Sequence, residues 1–281
     1  MTPNPLIGHK LGLGTWQMGE SRSEESIEIK AVTHALEIGY RLIDTAEMYA
    51  SGGAERVVGK AIRSFGAARR RELTLVSKVL PSNASYQKTI KVCHEIIGRM
   101  DCDYLDVFLL HWQGNYPYEE TLNAFIELRD RGLIRSWGVS NFDSAELKTW
   151  LDCEKALGVH KQCVTNQVYY ALCARGIEFD LKPWMQAQGM PVMAYSPLGT
   201  GELARNTRLK ELGERLGISA AQLALAWLLQ KTGVVAIPKS SDLRRLEQNF
   251  AASEIVLSAE ILEMLDRLYE PPKRKQPLAM I

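Results

Sequence analysis

Four ionisable residues occupy comparable places in the chain. Asp44 ends the apolar run Leu42-Ile43, and Tyr49 follows five residues later. Lys78 ends Leu75-Val76-Ser77, and His111 ends Phe108-Leu109-Leu110. A tyrosine phenol has a pKa of about 10 and is a poor proton donor at neutral pH. A neighbouring ammonium stabilises the phenolate and lowers that pKa, while a carboxylate beside the ammonium keeps it charged and placed. A histidine orients an incoming oxygen or shares the proton. Together these types suit protonation of a carbonyl oxygen while hydride reaches its carbon. Singly, most have plainer readings: Asp44 as a helix N-cap, Tyr49 as a rim aromatic, His111 as a hydrogen-bonded structural residue. Lys78 is the exception, because a lysine that ends a buried strand is costly unless it is paired or functional.

The elements that must carry these residues follow from periodicity. Eight short apolar or β-branched runs read as strands: 11–15, 41–45, 73–79, 107–112, 135–140, 163–168, 191–195 and 234–238. Their starts advance by 30, 32, 34, 28, 28, 28 and 43 residues, about what one strand, a crossover helix and two loops require. Between them lie helical stripes, such as Val57, Val58, Ala61, Ile62 and Phe65. Ser21-x-x-Glu24, Asp143-x-x-Glu146 and Ser219-x-x-Gln222 fit the capping box. Gly39, Gly66, Gly132, Gly158, Gly189 and Gly233 stand where left-handed helix ends are expected. Eightfold strand–helix alternation predicts a single closed (β/α)8 TIM barrel spanning residues 1–281, with an open doubly wound sheet as the alternative. Residues 6–10 are expected to pair as an N-terminal β-hairpin, and the 43-residue interval and the stretch after Ser258 to add extra helices. Catalytic groups of such barrels lie at the C-terminal ends of strands, so the four residues converge on one mouth. Trp16, Met48 and Trp112, with Tyr49 and His111, would line a substrate site there. The short segment 112–118 and the short tail after Tyr269 predict an open, shallow pocket.

Eight ordered runs carry a more specific signal: Gly12-Leu-Gly-Thr-Trp16, Asp44-Thr-Ala-Glu-Met-Tyr49, Val76-Ser-Lys78, Leu110-His111, Gly138-Val-Ser-Asn-Phe142, Asn166-Gln-Val168, Ala194-Tyr-Ser-Pro-Leu198 and Ile237-Pro-Lys-Ser240. The chain resembles the aldo-keto reductase family from about Leu11 to Tyr269, and its run 44–55 is similar to bacterial members described as methylglyoxal reductases. The resemblance implies an NADPH-dependent carbonyl reductase, with Tyr49 as general acid, Lys78 and Asp44 as its tuning pair and His111 as the orienting group. It implies cofactor contacts from Thr15, Trp16 and Asp44. Ser140, Asn141 and Gln167 match the nicotinamide carboxamide site, and Tyr195 the ring-stacking aromatic. Ser196, Leu198 and Thr200 match the pyrophosphate loop, and Lys239, Ser240 and Arg245 the ribose 2′-phosphate site. Gln248 and Asn249 match the adenine end, where Gln248 replaces the more usual Glu.

Other functions find less support. Lys plus Arg is 34 and Asp plus Glu 33, so whole-chain charge makes no case for nucleic acid or an anionic membrane. The longest apolar run, Leu223 to Leu229, is far short of the ~20 residues of a membrane span. Met1-Thr-Pro-Asn-Pro5 lacks a signal-peptide pattern, and five cysteines without a C-x-x-C pair read as free thiols. A cytoplasmic monomer is expected, in which the sequon Asn83-Ala-Ser85 carries no meaning. Gly12-Leu-Gly14 opens a dinucleotide fingerprint that fails at Gln17. His9, His34, His94, His111 and His160 show no metal-ligand spacing, so no metal is expected. Arg69-Arg-Arg71 and Lys273-Arg-Lys275 read as solvated ends. Lys78 also suits a Schiff-base aldolase. Reduction of sugar-derived or keto-acid carbonyls, and a non-catalytic NADPH-binding regulatory subunit, stay open as alternatives.

Overall fold

Strands buried on both faces need apolar side chains at nearly every position, and the eight runs meet that need. A computed structural model describes residues 4–159 and 162–281 of the chain. The strands are β1 (Leu13–Gly14), β2 (Leu42–Asp44), β3 (Thr74–Val79), β4 (Leu105–Leu110), β5 (Ile134–Ser140), β6 (Cys163–Tyr169), β7 (Val192–Tyr195) and β8 (Val234–Ala236). All pair in parallel and in chain order. Leu11 then bridges to Ala236, and the Gly12 N–H donates to the Ala236 carbonyl at 2.8 Å, which closes the ring and excludes the open doubly wound sheet. In β4 the alternation is explicit. Val107 and Leu109 join the cluster inside the barrel, while Phe108 and Leu110 pack outward against helices.

The helices are α1 (Glu25–Ile38), α2 (Gly53–Phe65), α3 (Tyr86–Met100), α4 (Tyr118–Asp130), α5 (Ser144–Ala156), α6 (Leu181–Ala187), α7 (Glu202–Arg205), α8 (Thr207–Arg215), α9 (Ala220–Leu229), α10 (Leu243–Ala251) and α11 (Ala259–Leu268). The long interval before β8 holds α7 and α8 as additions to α9, and α11 follows Ser258 as expected. Asp143 and Ser219 each form a full capping box. All six punctuating glycines have positive φ.

Three expectations need correction. Residues 6–10 form hydrogen-bonded turns instead of a hairpin. Leu6 enters the inner cluster and Gly8 turns the chain at φ +98°, so the segment covers the barrel base with a side chain rather than with a strand pair. Ser21 does not cap α1: its backbone carbonyl accepts a turn bond from Glu24, and its hydroxyl pairs with Ser23. Arg70 is buried, donating to the Leu73 and Tyr104 carbonyls and pairing with Asp106 at 2.9 Å. The five cysteines form no disulfide. Met1 to Pro3 and His160 lie outside the described residues; among those described, no group of side chains has the arrangement of a metal site and no helix is long and apolar enough to cross a membrane.

Candidate active site

The inward phase of each strand decides which side chains meet at the mouth. Leu42 and Val76 lie in the inner cluster, so Asp44 and Lys78, two residues on, also point inward. His111 continues the inward series Val107 and Leu109, its N–H donating to the Val79 carbonyl at 3.0 Å. Tyr49 sits on a tight turn directly after β2.

The Lys78 ammonium is fully buried and has three acceptors for its three protons: Asp44 Oδ2 at 2.7 Å, the Thr45 carbonyl at 2.8 Å and the Tyr49 phenol oxygen at 3.1 Å. The N-cap reading of Asp44 therefore fails. Its other oxygen, Oδ1, accepts from Gln167 Nε2 at 2.7 Å, and Thr15 donates to its carbonyl at 2.9 Å. Burial pulls the Lys78 ammonium down, but Asp44 and then Tyr49 outweigh it, and its pKa lies above the usual 10.5. Burial pushes the Asp44 carboxyl up, against the pull of Lys78 and the Gln167 amide. With both partners inside hydrogen-bonding distance and fully coordinated, the pair is ionised at neutral pH. For Tyr49, burial outweighs Lys78, so the phenol lies above its usual 10.0 rather than below it as expected from the sequence. His111 is pushed down to about 2 by burial and then by Lys78. Its ring is thus neutral at pH 7.

Gln167 reaches Asp44 because of an irregularity in β6. A two-residue step along β5, from Trp137 to Val139, lies against a three-residue step along β6, from Cys163 to Asn166. The extra residue switches the inward phase, so that Val164 lies inside the barrel but Val168 outside. Gln167 is thereby turned into the site, the kind of re-aiming for which bulges are used. Ser140 donates to the Gln167 carbonyl at 2.8 Å. Asn141, held at φ +59°, donates to the His111 carbonyl at 3.2 Å and accepts from the Tyr195 hydroxyl at 2.8 Å. Ser140, Asn141 and Gln167 are thus tied to the ionisable group.

A cavity of about 370 Å³ opens over these residues. Asp44, Tyr49 and His111 reach it, as do Ser140, Asn141 and Gln167. Tyr195, Ser196 and Lys239 line one side, and Thr15, Trp16, Met48 and Trp112 another. Lys78 stays behind Asp44 and Tyr49. Leu198, Thr200, Ser240, Arg245, Gln248 and Asn249 do not line this cavity. They lie on the segments that follow β7 and β8. The sequence reading missed Gly14, Ile237, Met280 and Ile281. Gly14 matters by lacking a side chain, since a Cβ there would lie 2.7 Å from the Ile237 carbonyl oxygen. The tail, expected to be too short to wall the site, brings Met280 and Ile281 to its edge. Tyr169 stacks on Tyr195, with centroids 5.8 Å apart and planes at 16°, and does not form part of the rim.

Ser241 has a buried hydroxyl without a partner, and Lys239 at the cavity wall and Arg245 beyond it have no carboxylate partner among the described residues. Two unneutralised cations and a free hydroxyl around the start of α10 suit a phosphate dianion.

A parallel eight-stranded barrel with ionisable groups gathered at the C-terminal ends of successive strands has the arrangement of a barrel enzyme. Residues 10–270 match the Aldo/keto reductase family. The chain belongs to that family and is an oxidoreductase. It is 47% identical over 277 residues to methylglyoxal reductase YeaE of Escherichia coli, covering 96% of this chain and 94% of that protein. It is 35% identical to glyoxal reductase of Bacillus subtilis, covering 92% of this chain and 87% of that protein. The crystal structure of an aldo-keto reductase from Klebsiella pneumoniae in complex with NADPH superposes with a TM-score of 0.89 at 43% identity, covering 97% and 95% of the two chains.

The neutral His111 has a consequence for stability. Its pKa falls from 6.5 to about 2 on folding, so below pH 6.5 the unfolded chain binds a proton that the folded chain does not, and stability is lost as pH falls. Between pH 7 and pH 5 this single group should cost about 2 kcal/mol. Urea unfolding of His111→Gln should show that much less acid destabilisation than the unaltered protein; equal losses would contradict the assignment.

Proposed function

We propose that the protein is an NADPH-dependent reductase of small, uncharged aldehydes of the 2-oxoaldehyde type, such as methylglyoxal, with Tyr49 as the proton donor. The observation that carries this reading is the direction of the Lys78–Tyr49 bond. Lys78 spends its protons on Asp44, Thr45 and the phenol oxygen, so the phenol accepts from Lys78 and its own proton is free for a ligand in the cavity. A fully coordinated ammonium is also a poor amine nucleophile, which disfavours the Schiff-base alternative.

The cofactor reading rests on fit. Tyr195 offers a ring to stack upon, Asn141, Ser140 and Gln167 offer amide and hydroxyl partners, and Gly14 leaves room beside Ile237. Ser196 and Thr200, both with positive φ, shape the loop assigned to the pyrophosphate. Lys239, Ser240 and Arg245 would hold the 2′-phosphate, with Gln248 and Asn249 at the adenine. When bound, NADPH supplies the hydride. His111, neutral and edge-on to Tyr49 at 6.0 Å, orients the carbonyl oxygen, Tyr49 gives it a proton, and Lys78 stabilises the phenolate that results. The relatives named for methylglyoxal and glyoxal support the substrate class.

Pocket chemistry favours uncharged substrates over keto acids. Trp16 and Met48, each 42% exposed, Trp112, Met280 and Ile281 form the substrate side, and Lys239, the one cation at the cavity wall among the described residues, lies with the cofactor residues. A carboxylate would enter the substrate side with no cation beside it.

Three measurements check these assignments. Tyr49→Phe should bind NADPH normally and lose about 10²–10⁴-fold in turnover; near-normal turnover with chemistry rate-limiting would contradict the donor role. Arg245→Ala should weaken NADPH by roughly 1.5–3 kcal/mol while leaving NADH nearly unchanged; equal weakening would place the 2′-phosphate elsewhere. The ratio kcat/KM should favour methylglyoxal over pyruvate by at least about tenfold, ~1.4 kcal/mol, and parity would refute the uncharged-substrate reading.

A further inference from the structure

The turn that carries Tyr49 is held in an unfavourable backbone conformation. Ala50 (φ 49°, ψ 38°) and Ser51 (φ 50°, ψ 49°) are consecutive left-handed residues, and neither is glycine. Side chains of L-residues resist this conformation, so it persists only where the surroundings impose it. The restraint comes from two carboxylates, one on each side of the turn, and both are tied to β3.

Before the turn, the Glu47 N–H donates to the Lys78 carbonyl at 3.3 Å. The Glu47 carboxylate accepts from the Leu80 N–H, and from Asn83 Nδ2 at 3.2 Å on each oxygen. Glu47 thus grips the backbone on both sides of Val79, immediately beyond Lys78. After the turn, fully buried Glu55 accepts from Ser77 Oγ at 2.9 Å and pairs with Arg99 at 2.5 Å. Arg99 lies across Gly52, where an added Cβ would come within 2.5 Å of its Cδ. The strained turn is therefore pinned to β3 at Ser77 and at Leu80, with Lys78 between these anchors.

We propose that Glu47 is a positioning residue for proton donation, its carboxylate strapping the Tyr49 turn onto the end of β3 and so holding the phenol oxygen on Lys78. The proposal rests on the reading of Tyr49 as proton donor. Glu47 itself does not line the cavity and acts only through the turn. An acceptor-only carboxylate suits the task, since both Leu80 and Asn83 present N–H donors. Without it, the turn can relax away from its left-handed geometry and carry the hydroxyl away from Lys78. A displacement of about 1 Å at a reacting group is enough to cost ~10²-fold in rate.

The experiment is a double-mutant cycle read by kcat, KM, NADPH affinity from fluorescence titration, and melting temperature. Glu47→Ala should lower kcat about 10- to 100-fold while KM and NADPH affinity stay within about twofold. Glu47→Gln, which keeps one acceptor oxygen, should recover most of that loss. Added to Tyr49→Phe, Glu47→Ala should cost less than about twofold, because the group it positions is gone. Unchanged kcat in Glu47→Ala overturns the proposal, as does an equal loss in the Tyr49→Phe background or the absence of recovery in Glu47→Gln. If Glu47→Ala does not fold, Asn83→Ala removes one partner of the carboxylate and runs the same cycle: a loss confined to the Tyr49 background supports the strap, and a loss shared by both backgrounds overturns it. A Tyr49→Phe enzyme with full turnover overturns the donor reading itself, and this proposal with it.

Discussion

The ion pair between Asp44 and Lys78 sets the terms for the rest of the site. It lies inside a barrel, where each charge is separated from water and where removal of either partner leaves the other uncompensated, at a cost of about 3–5 kcal/mol. Such a pair persists only if its remaining hydrogen-bonding capacity is met. Thr45 and Tyr49 meet that of the ammonium, and Gln167 that of the second carboxylate oxygen. Thr45 and Tyr49 follow β2, Lys78 lies on β3 and Gln167 on β6, so the pair constrains β2, β3 and β6 together. The Lys78 charge is thereby fixed against the Tyr49 phenol oxygen before any ligand arrives, the kind of preorganisation that lowers the cost of developing charge there.

Close backbone packing at the mouth follows from the same constraint. Gly14 leaves room beside the Ile237 carbonyl, and Gly138 sits where a Cβ would lie 2.6 Å from the Thr165 carbonyl oxygen. Left-handed residues cluster around the cavity: Ala50 and Ser51 after Tyr49, Asn141 after β5, Ser196 and Thr200 on the loop after β7. This concentration of strained backbone marks the rim as the part of the molecule shaped for a ligand rather than for stability. The interior below it is ordinary barrel core, with Leu6 filling the base.

Strand and helix periodicity made most of this architecture legible. Every one of the eight strands falls within the expected run or within two residues of it, because buried parallel strands leave a continuous apolar signature. Asp44, Lys78 and His111 could be picked out because each ends such a run, and Tyr49 because it follows Asp44 by five residues. What stayed hidden depends on side-chain phase and on distant contacts. Gln167 points inward only through the β6 bulge, and an inserted residue leaves no mark on composition. Alternation from Val164 alone would have turned it away from the site. Met280 and Ile281 come from a tail with no periodicity at all, placed by its path over the surface. Glu47 reads locally as a charged loop residue, and its grip on Leu80 and Asn83 is visible only in three dimensions. The raised phenol of Tyr49 was misjudged for a related reason: sequence shows the ammonium nearby but not how deeply the ring is buried.

The account turns on Lys78 acting as a buried, fully coordinated cation that holds the phenol oxygen and stabilises its phenolate. The most direct measurement is the single-turnover rate of NADPH oxidation by methylglyoxal in Lys78→Met, with NADPH binding followed separately by fluorescence. The account predicts retained NADPH binding and a rate lower by at least about 10²-fold. A rate within threefold of the unaltered enzyme would contradict it.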